Sequence, residues 1–130
     1  MQSLLSSDEA GLLLLIQTVN SYYKTQSNRV FHIFENNFSS NPVEGYGLKF
    51  LLDRRHVIEY KVFEDRRLLL GVVTLAIGPC YFLPEQFSDP EISSKFTLEP
   101  TVSGVIKNLV SLDEFLVKNA PNFSAAKGSP

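Results

Sequence analysis

Arginines that follow acidic residues are the side chains of this sequence whose spacing best suits binding chemistry. The tripeptide Asp-Arg-Arg occurs twice, at positions 53–55 and 65–67. Four guanidinium groups could clamp phosphate or carboxylate oxygens through bidentate hydrogen bonds. The strand that we predict between the two copies, over residues 57–63, would separate them by more than about 20 Å. The repeats therefore predict two solvated turns, and a basic site would use a single pair, Arg54 and Arg55.

Histidine and cysteine are too few and too dispersed to predict a metal centre. The chain contains two histidines, His32 and His56, and one cysteine, Cys80. Zinc sites take three or four nitrogen, sulfur or oxygen ligands at close spacing. Cys80 would become a nucleophile only if a histidine came close enough to deprotonate it, and its apolar neighbours favour an inert thiol. We expect no metal and no cofactor, and we expect His56 to contribute only beside the first arginine pair.

Length and composition describe one small domain with an apolar core. The chain has 130 residues, 44% of them hydrophobic and 20% charged, and its net charge is -2. Nucleic-acid binders usually carry a basic excess, so twelve basic residues against fourteen acidic ones disfavour that partner. A single cysteine excludes an intramolecular disulfide, and no apolar run approaches the roughly 20 residues of a membrane span. We expect a cytoplasmic protein with no membrane partner.

Periodicity predicts a helix followed by a strand and a long loop. Ser6 and Glu9 have capping-box spacing, and the helix expected from Ser7 to about Thr25 carries a wide apolar face. A strand is expected at Arg29–Glu35. The segment from Asn36 to Gly47 is rich in turn-forming residues and predicts a surface loop. Ordered long loops often bind partners, but a plain connection fits this loop equally well.

The middle of the chain predicts the centre of a sheet. Alternating apolar and polar residues indicate half-buried strands at Tyr46–Asp53 and Val57–Phe63. Leu68–Ile77 is apolar on both alternating faces, which is typical of a strand covered on both sides or on one side plus a partner. A short extended segment, Cys80–Leu83, follows.

The C-terminal third predicts a loop, helical structure and a tail. Ser88–Pro100 is polar and contains two prolines, which indicates little regular structure. Helical spacing then returns, and Ser111 and Glu114 repeat the capping-box spacing, so this part is two short helices or one bent helix. Ala120–Pro130 has little to bury and predicts a disordered tail.

These elements predict a single α+β domain over residues 1–119. An antiparallel sheet, a meander of three to five strands, would have the N- and C-terminal helices packed on one face. In size, charge and architecture the chain resembles bacterial immunity proteins, which bind and neutralise a toxin domain. We therefore expect a non-enzymatic module of this type with another protein as its partner. The expected partner-binding residues are Arg54, Arg55, His56, Glu59, Lys61, Phe87 and Phe96.

Three further functions stay open from the sequence, and one of them, nucleic-acid binding through Arg54, Arg55, Arg66 and Arg67, is disfavoured by the acidic balance. A small-molecule-binding or enzymatic domain would hold a pocket between sheet and helices, lined by Tyr22, Tyr23, Tyr60, His32 and Cys80. A secretion chaperone, which is usually a dimer, would need an apolar dimerising surface that the sequence does not identify. The oligomeric state is not predicted.

Overall fold

The computed structural model describes residues 7–25, 29–41, 43–77, 79–87 and 89–128, and side chains at 9–25, 29–41, 43–76, 79–87 and 89–118. The helices are α1 (Ser7–Thr25), α2 (Pro90–Ser93) and α3 (Val102–Gly128). The strands are β1 (Phe31–Phe38), β2 (Tyr46–Leu52), β3 (His56–Asp65), β4 (Leu68–Ile77) and β5 (Cys80–Phe82), and a short 3-10 helix follows at Pro84–Gln86. Over this part of the chain, no helix is both long and apolar enough to cross a membrane.

The five strands form one antiparallel sheet in which every strand pairs with its neighbour in sequence, in the order β1-β2-β3-β4-β5. β3 and β4 pair over their full lengths, from His56 opposite Ile77 to Asp65 opposite Leu68. α1 precedes the sheet and α3 follows it, and the two helices contact each other and one face of the sheet. The predicted α+β class and the antiparallel sheet are therefore confirmed.

The sheet buries one face because alternate side chains of a strand point to opposite sides. The side chains that this face contributes to the core are Tyr46, Leu48, Phe50, Leu52, Ile58, Tyr60, Val62, Val73 and Leu75. The helices cover them with Leu12, Leu15, Val19, Val105, Leu109, Leu112 and Leu116. Each apolar side chain removed from water in this way stabilises the fold by about 1.5 to 3 kcal/mol. The alternate positions lie on the opposite face, which we call the open face.

β4 is covered on one side, which is the second of the two arrangements that its apolar faces predict. Its outer face belongs to the open face, and Leu68 and Leu69 are exposed at the hairpin end. β5 pairs only with the last three residues of β4, which are Leu75, Ala76 and Ile77. Part of the remaining edge is covered by a loop, because the Gly71 amide donates to the carbonyl of Leu98 at 2.8 Å. A covered edge is less open to pairing with another chain.

Several element boundaries also differ from the sequence-based expectation. β1 continues through Asn36–Phe38, where turn formers predict a loop, because these residues pair with β2. Asp89 caps α2 by accepting from the Glu91 and Ile92 amides, within the segment expected to be a loop. α3 is one continuous helix through Ser111, and its backbone stays helical to Gly128. The Ser6 cap lies outside the described residues.

The β2–β3 turn and the β3–β4 turn both contain arginines whose backbone has the left-handed conformation. Arg66 and Arg67 connect β3 to β4 with φ of 53° and 68°, and two central residues with positive φ are the pattern of a type I′ turn. Asp53 and Arg54 have φ of 56° and 61° in the β2–β3 turn. Side chains other than glycine, asparagine or aspartate rarely adopt this conformation, which costs about 1 to 2 kcal/mol per residue. The arginines therefore occupy positions that glycine would fill with less strain.

Replacing Arg67 by glycine is expected to raise the free energy of unfolding by about 1 kcal/mol, because glycine adopts positive φ without a steric penalty. The melting temperature should rise by about 3 to 6 °C. Arg67→Ala is the matched control, since it removes the charge but keeps a Cβ in the strained position, and it should give no increase. Equal stabilisation by both variants, measured in urea, would show that charge and not backbone strain is relieved.

Candidate functional site

The register of the sheet arranges the open face in cross-strand rows. One row is largely apolar and runs across all five strands: His32, Leu51, Val57, Ala76 and Tyr81. The next row is charged and runs across four strands: Glu35, Lys49, Glu59 and Thr74. A third row contains a glycine: Asn37, Gly47, Lys61 and Val72. The open face therefore presents an apolar band beside a charged band.

The apolar band has aromatic side chains at both edges of the sheet. Tyr81 on β5 is 71% exposed, and Phe34 on β1 is half exposed at an irregularity in the β1–β2 pairing. Leu51 and Val57, in the central strands, are half-buried. Exposed aromatic side chains next to aliphatic ones are typical of the centres of protein interfaces. This band is the most interface-like part of the open face.

A groove of about 420 Å³ opens in the charged part of the open face. Gly47 lies in it without a side chain, and the charged lining residues of the strands are Glu35, Lys49, Glu59 and Lys61. Lys49 lies 3.6 Å from a carboxylate oxygen of Glu35. Among the described residues, neither Glu59 nor Lys61 forms an ion pair. Their charges are therefore available to a partner.

The loop between β1 and β2 forms one end of this groove. The Ser39 amide donates to the Gly45 carbonyl at 2.8 Å, and the Asn41 side chain accepts from the Val43 amide at 3.0 Å. Gly45 has φ of 64°, and a Cβ there would overlap the carbonyl oxygen of Val62. Short internal hydrogen bonds and a required glycine give the loop one defined shape. The segment that the sequence indicates as a binding loop thus helps to shape the groove.

The seven predicted partner-binding residues separate into two groups. Glu59 and Lys61 line the groove, and Arg54 and Arg55 are exposed in the turn that follows β2. This turn lies next to the apolar band, because Leu51 and Val57 flank it. The second arginine pair is at the other end of β3, and the ten residues of that strand separate the two turns by about 30 Å. The four arginines therefore do not share one site.

The other three residues of the prediction contact the interior. His56 is 7% exposed on the helix-covered face. The sequence allows Phe87 and Phe96 to be either lids over the core or contacts for a partner. Phe87 stacks on Phe115 at 4.1 Å between ring centroids and meets Phe96 edge-on at 5.5 Å. This packing holds the 3-10 and α2 segment against α3.

The residues expected to line a ligand pocket do not converge. Tyr22 donates to Asp113 at 2.7 Å and Tyr60 contacts Asn108 at 2.6 Å, while His32 and Cys80 are exposed. A space of about 20 Å³ between α1 and the sheet is about the size of one water molecule. The phenol groups of Tyr22 and Tyr60 therefore serve internal hydrogen bonds, and the Tyr23 ring packs between Tyr22, Phe31 and Phe50.

Cys80 is also distant from His56. Its strand neighbour is Ile77, which in turn pairs with His56. Two strand spacings separate His56 from Cys80, which is about 10 Å between Cα atoms. No group of three or more metal-ligating side chains occurs among the described residues. This arrangement does not build a nucleophile and base pair.

In the described part of the chain, two clusters of polar side chains connect the helices to the sheet, and neither was predicted from the sequence. We call them the polar clusters. Asn108 is 1% exposed, and its amide accepts from the Thr97 amide at 2.8 Å and donates to the Thr97 carbonyl and to Tyr60. Arg29 lies 3.2 Å from Asp53 and 3.7 Å from Asp113, which joins the β2–β3 turn to α3. Such partners are far apart in sequence, so no local pattern signals them.

Comparison of the chain with protein-family models, with curated proteins and with solved structures finds no match. The function is therefore argued from the site itself.

Replacing Asn108 by alanine is expected to lower the free energy of unfolding by about 3 kcal/mol, because Tyr60 and both backbone groups of Thr97 lose their partner. Asn36→Ala on exposed β1 is the control, and it should change stability by less than about 0.5 kcal/mol. Urea denaturation measures both. Equal effects of the two variants would contradict the role given to Asn108.

The stability of the protein should fall between about pH 10 and 12. Burial raises the pKa of Tyr60 to about 12 in the folded protein, although the hydrogen bond from Asn108 lowers it in part. The unfolded phenol ionises near pH 10, so the unfolded state loses its proton first and the stabilisation disappears as the pH rises through this window. Tyr60 accounts for about 2 to 3 kcal/mol of that loss.

Tyr60→Phe removes this contribution, so its unfolding free energy should fall less steeply between about pH 10 and 12 than that of the wild type. Tyr81→Phe, at an exposed phenol, is the control and should keep the wild-type slope. Urea unfolding at a series of pH values gives the slopes. An unchanged slope in Tyr60→Phe would mean that Tyr60 ionises as readily in the folded protein as in the unfolded one, and would contradict the raised pKa.

Proposed function

We propose that this chain is a non-enzymatic protein-binding module of the immunity type, which binds and neutralises a toxin domain through its open face. The observation that carries the proposal is the organisation of this face. An apolar band with exposed aromatic edges lies beside a groove with unpaired charges, and exposed arginines stand in the turn next to the band. An apolar centre with a charged surround is the usual anatomy of a protein interface.

Arg54 and Arg55 supply directional hydrogen bonds beside the apolar band. Arginine is enriched at interface hot spots because its fork of donors matches a carboxylate. We therefore propose that the partner places carboxylates against this turn.

The groove supplies the second set of contacts. Lys61 lies between Gly47 and Val72 in its row, and neither neighbour can neutralise it. Glu59 is two residues away on the same face. Paired opposite charges on a partner would satisfy both, and such complementarity favours one partner over others. A rigid, preformed sheet suits a folded partner, which is the feature that favours the immunity type over a chaperone. We propose the cytoplasm as the place where the two proteins meet.

The proposal is tested by affinity capture of a tagged protein in lysate from the organism that encodes it, followed by purification of the captured protein. We expect a folded partner that inhibits growth when produced alone and is harmless when co-produced with this chain. Isothermal titration then compares two arginine variants. Arg54→Glu should weaken binding at least about tenfold, because the new carboxylate would repel the carboxylates that the partner places against this turn.

Arg66→Glu is the matched control, since Arg66 is also exposed, has positive φ and lies in a hairpin turn, but at the opposite end of the sheet. It should change the affinity less than about twofold. Equal weakening by both variants would show that the affinity follows net charge and not the position of Arg54 beside the apolar band. A captured partner without toxicity would contradict the immunity type and leave protein binding in place.

A further inference from the structure

Helix α3 is apolar on two sides, and the sheet covers one of them. Its inner side is buried in the core. On its outer side Val102, Ile106 and Val110 recur every four residues and are 42%, 37% and 48% exposed. A helix that is apolar on two sides is ordinarily buried on both. This pattern indicates that another surface packs on the outer side of α3, on the ridge formed by these three side chains.

A groove lies beside this ridge, between α3 and α1. It has a volume of about 220 Å³ and is walled by Val102 and Ile106 on α3 and by Leu14 on α1. Leu14 is 48% exposed. The other lining side chains carry hydroxyl or amide groups, and no charged residue lines the groove in the described part of the chain. We call Leu14, Val102, Ile106 and Val110 the outer helical surface.

The outer helical surface contains a ridge and a groove side by side, which is what a self-complementary interface requires. In a two-fold dimer both copies use the same patch, so the ridge of each copy can enter the groove of the other. Side-chain rows at i and i+4 pack between the rows of another helix. The lack of charge also fits a second copy, because like charges would otherwise oppose each other across the two-fold axis.

The apolar area of this surface suits a dimer of modest affinity. The four half-exposed side chains present on the order of 300 Å² of apolar surface, at the lower end for the largest patch of a monomer. A standard interface takes roughly 800 Å² from each partner, a little over half of it apolar. The patch thus supplies about two-thirds of the apolar part, and Gln17, Ser21 and Thr25 can form a polar rim.

We propose that two copies of this chain associate through the outer helical surface to form a two-fold dimer. The sheets then lie on the outside and both open faces stay accessible, so the dimer is bivalent. The proposal does not depend on the function assigned to the open face, and its test needs only the purified protein.

Sedimentation velocity and light scattering over about 10 to 500 µM should show a concentration-dependent dimer with a micromolar dissociation constant. Ile106→Glu should raise that constant at least about a hundredfold, because the new carboxylate would be buried without a partner. Val110→Glu should act in the same direction. Circular dichroism and the melting temperature establish that both variants stay folded.

Two control variants place the same charge elsewhere. Leu69→Glu, at a half-exposed leucine in the β3–β4 hairpin, and Tyr81→Glu on the open face should both leave the dimer intact. A wild-type monomer at the highest concentration would overturn the proposal. So would a dimer that Tyr81→Glu dissociates and Ile106→Glu does not, since the sheet and not the helices would then form the contact.

Discussion

Burial of one face of the antiparallel sheet is the constraint on which the rest of this structure depends. β3 shows it most clearly, because Ile58, Tyr60 and Val62 are buried and the alternate Glu59 and Lys61 face away. Since strand side chains alternate, the same register that builds the core also fixes which side chains line the open face. A slip of one residue would exchange the two sets, so the core and the proposed binding surface cannot vary independently.

The polar clusters around Asn108 and Arg29 determine how the helices are oriented on this sheet. Apolar packing alone would allow α3 to slide or rotate at small cost, whereas Asn108 must lie opposite both Tyr60 and Thr97. Arg29 fixes the other end of the layer between Asp53 and Asp113. The hydrogen bonds of Asn108 and the ion pairs of Arg29 favour one arrangement because any other would leave these polar groups without their partners. The outer helical surface has a defined shape for the same reason.

Much of the fold could be predicted from the sequence because helices and strands each have a characteristic local spacing of apolar residues. The bounds of α1 and β4 and the antiparallel order agree with the expected elements. The misses occur where tertiary pairing overrides local preference: β1 extends through Asn36–Phe38 because β2 supplies partners. The short helix α2 had a readable signal, an aspartate cap before Pro90, that the polar composition of the segment obscured.

The site was less predictable than the fold. Alternation places Glu59 and Lys61 on the open face, but the groove also needs Glu35 and Lys49 from other strands, and their proximity depends on the register. His56 and Phe87 were indistinguishable from surface residues in the sequence because both follow turn-like segments. The outer helical surface was hidden because its residues belong to two helices that are far apart in the chain.

The central claim is that the open face binds the protein partner, and methyl NMR of the isotopically labelled chain with the captured partner tests it most directly. Signals of Leu51 and Val57 on the open face should shift or broaden on addition of the partner, while those of core residues such as Leu109 stay in place. Changes confined to Leu14 and Ile106, with the open-face methyls unaffected, would contradict the account.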